Sequence, residues 1–202
     1  MNECIEKVKI TVLVSGGGTN LQSIIDNIKN GYLDKAEIVR VISSNCSAFA
    51  LQRARDNGIN GICIDKIQFP NEEQQYETII NALAEVNTDL IVLAGYMKIL
   101  QPELINLYRD RIINIHPSLI PKFCGKGYYG HRVHDAVLSS GEKMSGATVH
   151  FVDEGVDTGR IILQEQVKVE EKDTVETLSA RILAVEHEIL PKAIKMFCDR
   201  KI

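Results

Sequence analysis

The sequence of 202 residues lacks the features of several broad protein classes. No apolar run is longer than a strand, so we expect no segment that spans a membrane. The net charge is −4 and the basic residues are scattered, whereas a nucleic-acid-binding domain would carry a basic stripe. Residues 1–7 are polar and have no apolar core of the kind that a signal peptide needs, so we predict a cytoplasmic protein.

The cysteines also lack a pattern that would define a site. There are five, they are widely spaced, and no two form a Cys-x-x-Cys pair. We therefore expect reduced thiols in a reducing compartment, mostly as packing residues, and no structural zinc site. The five are Cys4, Cys46, Cys63, Cys124 and Cys198.

Alternating strand and helix patterns occupy the first half of the chain. Apolar, β-branched runs predict strands, and apolar residues at three- and four-residue spacing predict helices. The predicted strands are 8–14, 37–43, 59–65, 89–94 and 111–115; the predicted helices are 21–28, 48–57, 71–86 and 102–108. This alternation predicts an α/β fold with a mostly parallel sheet and helices on both faces.

The second half of the chain changes character. A loop at 122–130 and a helix at 131–139 precede two strands, at 147–152 and 161–169, which predict an antiparallel pair at the edge of the sheet. A long helical pattern follows at 174–197, which we expect Pro191 to interrupt. No repeat or linker divides the chain, and 45% of its residues are hydrophobic, so we predict a single domain over 1–202.

A glycine-rich turn at 15–20 lies between the first strand and the first helix. It contains Gly16, Gly17, Gly18, Thr19 and Asn20. A dinucleotide fingerprint would need a third glycine at position 21, and a Walker A loop would need a lysine. The turn therefore suits one phosphomonoester, bound by helix N-terminal amides and polar side chains. The alternative is a plain tight turn in which Thr19 or Asn20 caps the helix.

Candidate catalytic residues follow the fifth strand and the antiparallel connection. Asn114 and His116 share one face of a strand, and Asp157 lies in the loop at 153–159. An amide, an imidazole and a carboxylate can together support acyl transfer: the amide can bind a carbonyl oxygen, the imidazole can move a proton, and the carboxylate can hold the imidazole, raise its pKa and keep it charged. The alternatives are a histidine that is simply a satisfied polar residue and an acidic loop, including Asp153 and Glu154, that is merely solvated.

Four motifs in order resemble the folate-dependent phosphoribosylglycinamide formyltransferases. They are Ser-Gly-Gly-Gly-Thr-Asn-Leu-Gln at 15–22, Gly-Tyr-Met-Lys-Ile-Leu at 95–100, Asn-Ile-His-Pro-Ser-Leu-Ile-Pro at 114–121 and Gly-Ala-Thr-Val-His-Phe-Val at 146–152. The resemblance implies a doubly wound, Rossmann-like formyltransferase fold. It implies a phosphate-binding half at 1–110 and a catalytic and folate-binding half at 111–202.

The same resemblance implies the reaction and the residues that carry it. The reaction is formyl transfer from 10-formyltetrahydrofolate, a co-substrate, to the amine of glycinamide ribonucleotide in purine synthesis, with no metal, by a monomer or homodimer. The implied catalytic residues are Asn114, His116 and Asp157, and Glu186 on the final helix is an implied substrate-binding carboxylate. The family's phosphate-binding loop falls on Gly18, Thr19 and Asn20, and its folate-binding residues fall on Met97, Lys98, Ile99, Leu100 and Asn114.

Three other functions share parts of this pattern. Formyltetrahydrofolate deformylase has the same Asn–His–Asp arrangement but usually an extra N-terminal domain, for which a strand starting near residue 8 leaves no room. Methionyl-tRNA formyltransferase carries a C-terminal RNA-binding domain, and we expect none here because no basic extension follows. A non-catalytic folate- or nucleotide-binding protein would have no need of the Asn114, His116 and Asp157 trio.

Overall fold

A computed structural model describes residues 6–202 as a seven-stranded sheet flanked by helices. The strands are β1 (Val8–Val14), β2 (Ala36–Ser43), β3 (Gly61–Cys63), β4 (Leu90–Leu93), β5 (Ile112–His116), β6 (Met144–Phe151) and β7 (Ile161–Lys168). The helices are α1 (Thr19–Lys29), α2 (Phe49–Asp56), α3 (Glu72–Glu85), α4 (Pro102–Leu107), α5 (His131–Ser140) and α6 (Val175–Cys198). Strand β3 is therefore shorter than the predicted 59–65.

The order of the strands places the ligand crevice. The sheet runs β3-β2-β1-β4-β5-β6-β7, with β1 to β5 parallel and with β6 and β7 each antiparallel to the strand before it. The mostly parallel, doubly wound sheet and its antiparallel edge are therefore as predicted. In such sheets ligands bind outside the carboxyl ends of the strands, where the strand order reverses. That point lies here between β1 and β4.

Both faces of the sheet are buried, which explains the continuous apolar runs of the parallel strands. Along β1, Val12 and Val14 pack into a cluster with side chains of α1, α2, α5 and α6. Leu13, which points to the opposite face, packs into a second cluster with side chains of α3 and α4. Two covered faces leave the carboxyl edge of the sheet as the place for a ligand.

Helix α6 runs unbroken through Pro191, so the predicted interruption is wrong. A proline has no N–H to give to the carbonyl four residues earlier, which here belongs to His187. The hydroxyl of Ser23 on α1 donates to that carbonyl instead, at 2.9 Å. Packing against α1 thus supplies the missing hydrogen bond. Among residues 6–202, neither α6 nor any other helix is long and apolar enough to cross a membrane.

Two cysteines are bonded, so the expectation of reduced thiols throughout is wrong for this pair. Cys46 and Cys63 form a disulfide, whereas Cys124 and Cys198 are free and Cys4 lies outside the described residues. The parallel pairing of β2 with β3 sets Ser43 beside Cys63. The chain that leaves β2 therefore brings Cys46 next to Cys63, although they lie 17 positions apart in sequence.

Candidate active site

A cavity of about 620 Å³ opens at the carboxyl ends of β1, β4 and β5. Five segments surround it: the glycine-rich turn after β1, the chain after β4, the end of β5 with the loop that precedes β7, the loop before α5 with the start of that helix, and one face of α6. Every site residue named from the sequence lines this one cavity: Gly16, Gly17, Gly18, Thr19, Asn20, Met97, Lys98, Ile99, Leu100, Asn114, His116, Asp157 and Glu186.

The glycine-rich turn presents the N-terminus of α1 to the cavity. Gly18, at φ 73°, is the N-cap, so the alternative in which Thr19 or Asn20 caps the helix is wrong. Glycine has no side chain, and no other residue of the described chain supplies a side-chain cap here. The first amides of α1 therefore remain available to an anion, in the positive end of the helix dipole.

Helix α2 supports the glycine-rich turn from behind. The amide of Ala50 donates to the carbonyl of Gly16 at 3.1 Å, and Nε of Arg53 donates to the carbonyl of Gly17 at 2.9 Å. A Cβ at Gly18 would come within 2.6 Å of the Ala50 Cβ, so the close approach of α2 requires glycine there. Arg53 brings a cation to the turn, and the sequence pattern gave no sign of it.

Asn20 and Glu186 meet across the floor of the cavity. Nδ2 of Asn20 donates to Oε2 of Glu186 at 2.7 Å, and Glu186 is only 7% exposed. Burial raises the pKa of Glu186 to about 7, and the hydrogen bond from Asn20 opposes part of that shift. A glutamate is more often an exposed residue that pairs with a nearby cation, here His187 or Arg181. Glu186 is instead buried and hydrogen-bonded to Asn20.

One hydrogen of the Asn20 side-chain amide is therefore already used in the bond to Glu186. Its Oδ1 is buried and has no hydrogen-bond partner within residues 6–202. A ligand that fills the cavity beside this pair would gain an acceptor from Asn20 and a carboxyl group from Glu186. The pair thus suits a donor such as an amine or a hydroxyl.

The end of β5 brings the predicted catalytic trio together. Asn114 and His116 lie on one face of the strand, as their spacing predicted. Asp157 reaches them from the loop before β7, with its backbone at φ 59°. Its Oδ2 is 3.7 Å from Nδ1 of His116, and its Oδ1 is 3.4 Å from Nδ2 of Asn114. The amide of Gly125 donates to the same carboxylate at 2.9 Å.

A second histidine, His150, belongs to the same cluster. It lies opposite Asn114 in the β5–β6 register, and Nδ2 of Asn114 is 3.1 Å from its Nε2. Its Nδ1 faces the carbonyl of Phe151 at 2.8 Å and so carries the hydrogen, which leaves Nε2 as the acceptor. Its Nε2 is 3.6 Å from Asp157. In the sequence His150 stands out only as a member of the motif at 146–152, because its place in the cluster depends on strand pairing.

Both ring nitrogens of His116 have protein partners. Nε2 is 2.9 Å from the carbonyl of Phe123, which can only accept, so Nε2 carries the hydrogen. Nδ1 faces Asp157. Burial lowers the pKa of His116 below its ordinary value, and the opposing pull of Asp157 and Phe123 does not restore it. The expectation that Asp157 keeps His116 charged is therefore wrong for this conformation, in which the imidazole is neutral near pH 7.

Asp157 itself is held as an anion. Burial alone would raise its pKa, but the neighbouring imidazoles of His150 and His116 and the amide of Gly125 together lower the pKa below its ordinary value. The loop before β7 thus carries a fixed negative charge into the cluster. Such a charge can stabilise an imidazolium at His116 whenever a proton arrives there.

The chain after β4 forms another wall of the cavity. Met97 donates its amide to Oγ of Ser15 at 2.8 Å, and the carbonyl of Ile99 accepts from the hydroxyl of Tyr76 at 2.6 Å. Leu100 is buried, whereas Met97 and Ile99 are more than half exposed. This wall presents apolar side chains that are fixed through their backbone, as a flat aromatic ligand would need.

Two further histidines line the cavity, and they differ in burial. His131 is exposed, and His134 is buried with its Nδ1 unpaired among the described residues. Burial, together with the neighbouring His131 and His116, lowers the pKa of His134 to about 4. His134 is thus a neutral group in the wall of the cavity.

Fold and cavity together define a doubly wound α/β protein with a glycine-rich turn and an Asn–His–Asp cluster in one cleft. Residues 8–194 match the sequence family described as formyl transferase, and the chain belongs to that family. The motif resemblance is thereby confirmed.

Individual relatives and a solved structure agree with this family. The chain is 40% identical to the phosphoribosylglycinamide formyltransferase of Haemophilus influenzae, over 96% of this chain and 89% of that one. It is also 40% identical to the chloroplastic phosphoribosylglycinamide formyltransferase of Vigna unguiculata, over 98% of this chain. It spans 63% of the length of that plant protein. The crystal structure of glycinamide ribonucleotide transformylase 1 from Symbiobacterium toebii superimposes with a TM-score of 0.90 at 40% identity, covering 98% of this chain and 90% of that one.

Proposed function

We propose that this chain transfers a formyl group from 10-formyltetrahydrofolate to the amine of glycinamide ribonucleotide, a step of purine synthesis. The observation that carries the proposal is the single cavity. It joins an anion-binding turn, an apolar wall and the cluster of Asn114, His116 and Asp157. The names of the relatives support the same reaction.

The two substrates would enter the cavity from opposite sides. The phosphate of the ribonucleotide binds the first amides of α1 at Gly18, Thr19 and Asn20, close to Arg53. The pterin and aminobenzoyl rings of the folate lie along the wall made by Met97, Lys98, Ile99 and Leu100. The two substrates then meet at Asn114 and His116. Holding the amine beside the formyl carbon lowers the activation barrier, because the entropy of bringing them together is lost on binding.

The acceptor amine is oriented by Glu186 on α6. The carboxyl group accepts a hydrogen bond from the amine and turns the lone pair of the nitrogen toward the formyl carbon. Because the pKa of Glu186 is about 7, it is partly ionised near neutral pH. Asn20 couples this group to the phosphate end of the same substrate, since its side chain touches Glu186 and its backbone belongs to the turn.

The chemical step is direct acyl transfer. The amine attacks the formyl carbon, and negative charge develops on the formyl oxygen of a tetrahedral intermediate. Nδ2 of Asn114 and the Nε2–H of His116 donate to that oxygen once it replaces the carbonyl of Phe123 as partner of His116. The intermediate collapses when the bond between the formyl carbon and the folate nitrogen breaks; the amine loses a proton and the departing folate nitrogen gains one, through His116 or an ordered water. Asp157 stabilises the imidazolium during this transfer.

We propose further that the chain acts as a single domain in the cytoplasm, as a monomer or homodimer, without a resident metal. Hydrogen-bond donors at Asn114 and His116 suffice for the oxyanion in this scheme. Chelator-resistant activity is the expected result, and loss of activity in EDTA that zinc restores would contradict it.

Formyl transfer monitored by absorbance tests the main proposal. The purified chain is given 10-formyltetrahydrofolate with and without glycinamide ribonucleotide. Consumption of the folate that depends on the ribonucleotide is the expected result. Equal consumption without any acceptor would identify a deformylase instead, and no consumption in either case would overturn both enzymatic functions.

A further inference from the structure

The bonded pair Cys46 and Cys63 lies outside the cavity but close to its phosphate end. Their Cα atoms are 5.1 Å apart, which suits a disulfide. Cys46 is exposed and Cys63 is half-buried, so a small thiol or disulfide in solution can reach the pair. Cys124 and Cys198 have no such partner.

The bond closes a loop that supports the glycine-rich turn. Helix α2 lies inside this loop, between the two cysteines. Besides the contacts of Ala50 and Arg53 with the turn, Oγ of Ser44 is 2.6 Å from Oγ of Ser15. Nδ2 of Asn45 also donates to the carbonyl of Ser15, at 3.5 Å. Cys46 therefore directly follows two residues that contact the turn.

A buried carboxylate lies beside the pair and can accept a hydrogen bond from its reduced, dithiol form. Oδ2 of Asp65 is 3.1 Å from Sγ of Cys46, where it can accept a hydrogen bond from a thiol. Its Oδ1 accepts from the amides of Ile67 and Gln68 and so fixes the carboxylate in place. The reduced pair would thus find a hydrogen-bond partner without rearrangement of β3.

We propose that Cys46 and Cys63 form a reversible thiol–disulfide site that tunes binding at the glycine-rich turn. A low-molecular-weight disulfide is the oxidant. The thiolate of Cys46 attacks it and releases one thiol; Cys63 then attacks the mixed disulfide and releases the second. The protein loses two protons and two electrons, and the oxidant becomes two thiols. The effect on the phosphate end rests on the proposed function; the thiol chemistry does not.

The closed pair restrains the loop that holds α2 against the turn. A preorganised turn loses less freedom when it takes up a phosphate. The disulfide form should therefore show a KM for glycinamide ribonucleotide about three- to tenfold lower than the dithiol form, with kcat and the KM for the folate unchanged.

Thiol mapping and kinetics on the full chain test the site together. Protein equilibrated with glutathione disulfide or with dithiothreitol is alkylated and mapped by mass spectrometry, and both forms are assayed. Cys46→Ser and Cys63→Ser should each reproduce the dithiol KM and abolish its response to the oxidant. Cys198→Ser, at the end of α6, is the matched control and should respond like the parent. Thermal unfolding checks that each variant is folded.

Three outcomes would overturn the site. Alkylation of both cysteines after treatment with glutathione disulfide would show that the pair does not close. Identical KM values in two forms that mapping proves distinct would remove its effect on the turn. One zinc ion held by the reduced pair, protecting both thiols and lost in Asp65→Asn, would make the cluster a metal site.

A failure of the proposed function gives a different pattern. In that case neither form transfers a formyl group, although mapping still shows the pair opening and closing. Inorganic phosphate then serves as the probe. Its dissociation constant, measured by calorimetry, should still be lower for the disulfide form; equal constants would overturn the proposal without reference to the enzymatic reaction.

Discussion

Asp157 and Glu186 are two carboxyl groups that face one cavity and are held in opposite ways. Two imidazoles and an amide surround Asp157, and its pKa is lowered. Glu186 is buried with one amide donor, and its pKa is raised to about 7. Burial pushes both pKa values upward; the two imidazoles and the Gly125 amide outweigh it at Asp157, whereas the single Asn20 amide does not outweigh it at Glu186. One group is a fixed anion and the other can exchange a proton near neutral pH, a division that suits two separate roles.

Removing the fixed anion should have the largest effect. Asp157→Asn keeps the shape but loses the charge that stabilises an imidazolium at His116, so we expect kcat to fall by about 10²–10⁴-fold. Steady-state transfer measures this. Glu154→Gln, an exposed change in the same loop, is the control and should leave kcat nearly unchanged. Near-normal turnover in Asp157→Asn would remove the catalytic role.

Removing the exchangeable carboxyl group should have a smaller effect on transfer. Under the proposed function, Glu186→Gln loses a hydrogen bond to the amine, and such a bond is worth about 1.5–3 kcal/mol when one partner is charged. We expect kcat/KM for the ribonucleotide to fall by about 10- to 150-fold and folate binding to stay nearly constant. Glu188→Gln, an exposed change on the same helix, is the control. A matching loss of folate affinity would contradict the assignment.

The same substitution should stabilise the protein in alkaline solution. The folded pKa of Glu186, about 7, lies above its ordinary value of 4.5, so the folded state keeps a proton that the unfolded state releases. Stability is therefore lost as pH rises from about 4.5 to 7. Glu186→Gln should be more stable than the parent by about 2–3 kcal/mol at pH 8 and similar to it at pH 5. Urea unfolding at both pH values tests the sign of this difference in stability. Equal stability of variant and parent at pH 8 would indicate that the Glu186 carboxylate is solvated in the folded protein.

The phosphate end can be disturbed without touching either carboxyl group. Gly18→Val combines a positive φ with a Cβ 2.6 Å from that of Ala50, so the turn must shift. We expect the KM for the ribonucleotide to rise about tenfold or more, with little change for the folate. Gly141→Val imposes a similar backbone strain at the end of α5, away from the cavity, and is the control. Equal effects on both substrates would count against a phosphate turn.

The smallest expected effect concerns the helix that carries Glu186. Ser23→Ala removes the donor to the carbonyl of His187 that Pro191 leaves without an amide partner, so we expect a loss of about 1 kcal/mol in stability. Pro191→Ala restores an N–H, and Ser23→Ala should cost less in that background. A double-mutant cycle by denaturant unfolding measures the coupling, and additive effects would contradict the compensation.

Local patterns in the sequence determined the frame and part of the site. Alternating apolar runs predicted the parallel sheet, and the two-residue period of a strand put Asn114 and His116 on one face. The motif resemblance named Asp157 and Glu186, and both line the cavity. The placements agree because they depend on residues that are near neighbours in the chain or that follow from the family resemblance.

Contacts between distant segments lay beyond that reach. The partnership of Asn20 with Glu186 joins residues 166 apart, and His150 enters the cluster only through the pairing of β6 with β5. Pro191 fits inside α6 because a hydroxyl of α1 happens to face its missing partner. The Cys46–Cys63 bond depends on the register of β2 and β3.

The sequence by itself thus determined which elements form, which face of each is buried and which residue types meet a ligand. The tertiary structure alone decided their charge states. A pKa depends on burial and on the partners that other elements bring to the group. These gave Glu186 a pKa of about 7, and they left His116 neutral although Asp157 was expected to keep it charged.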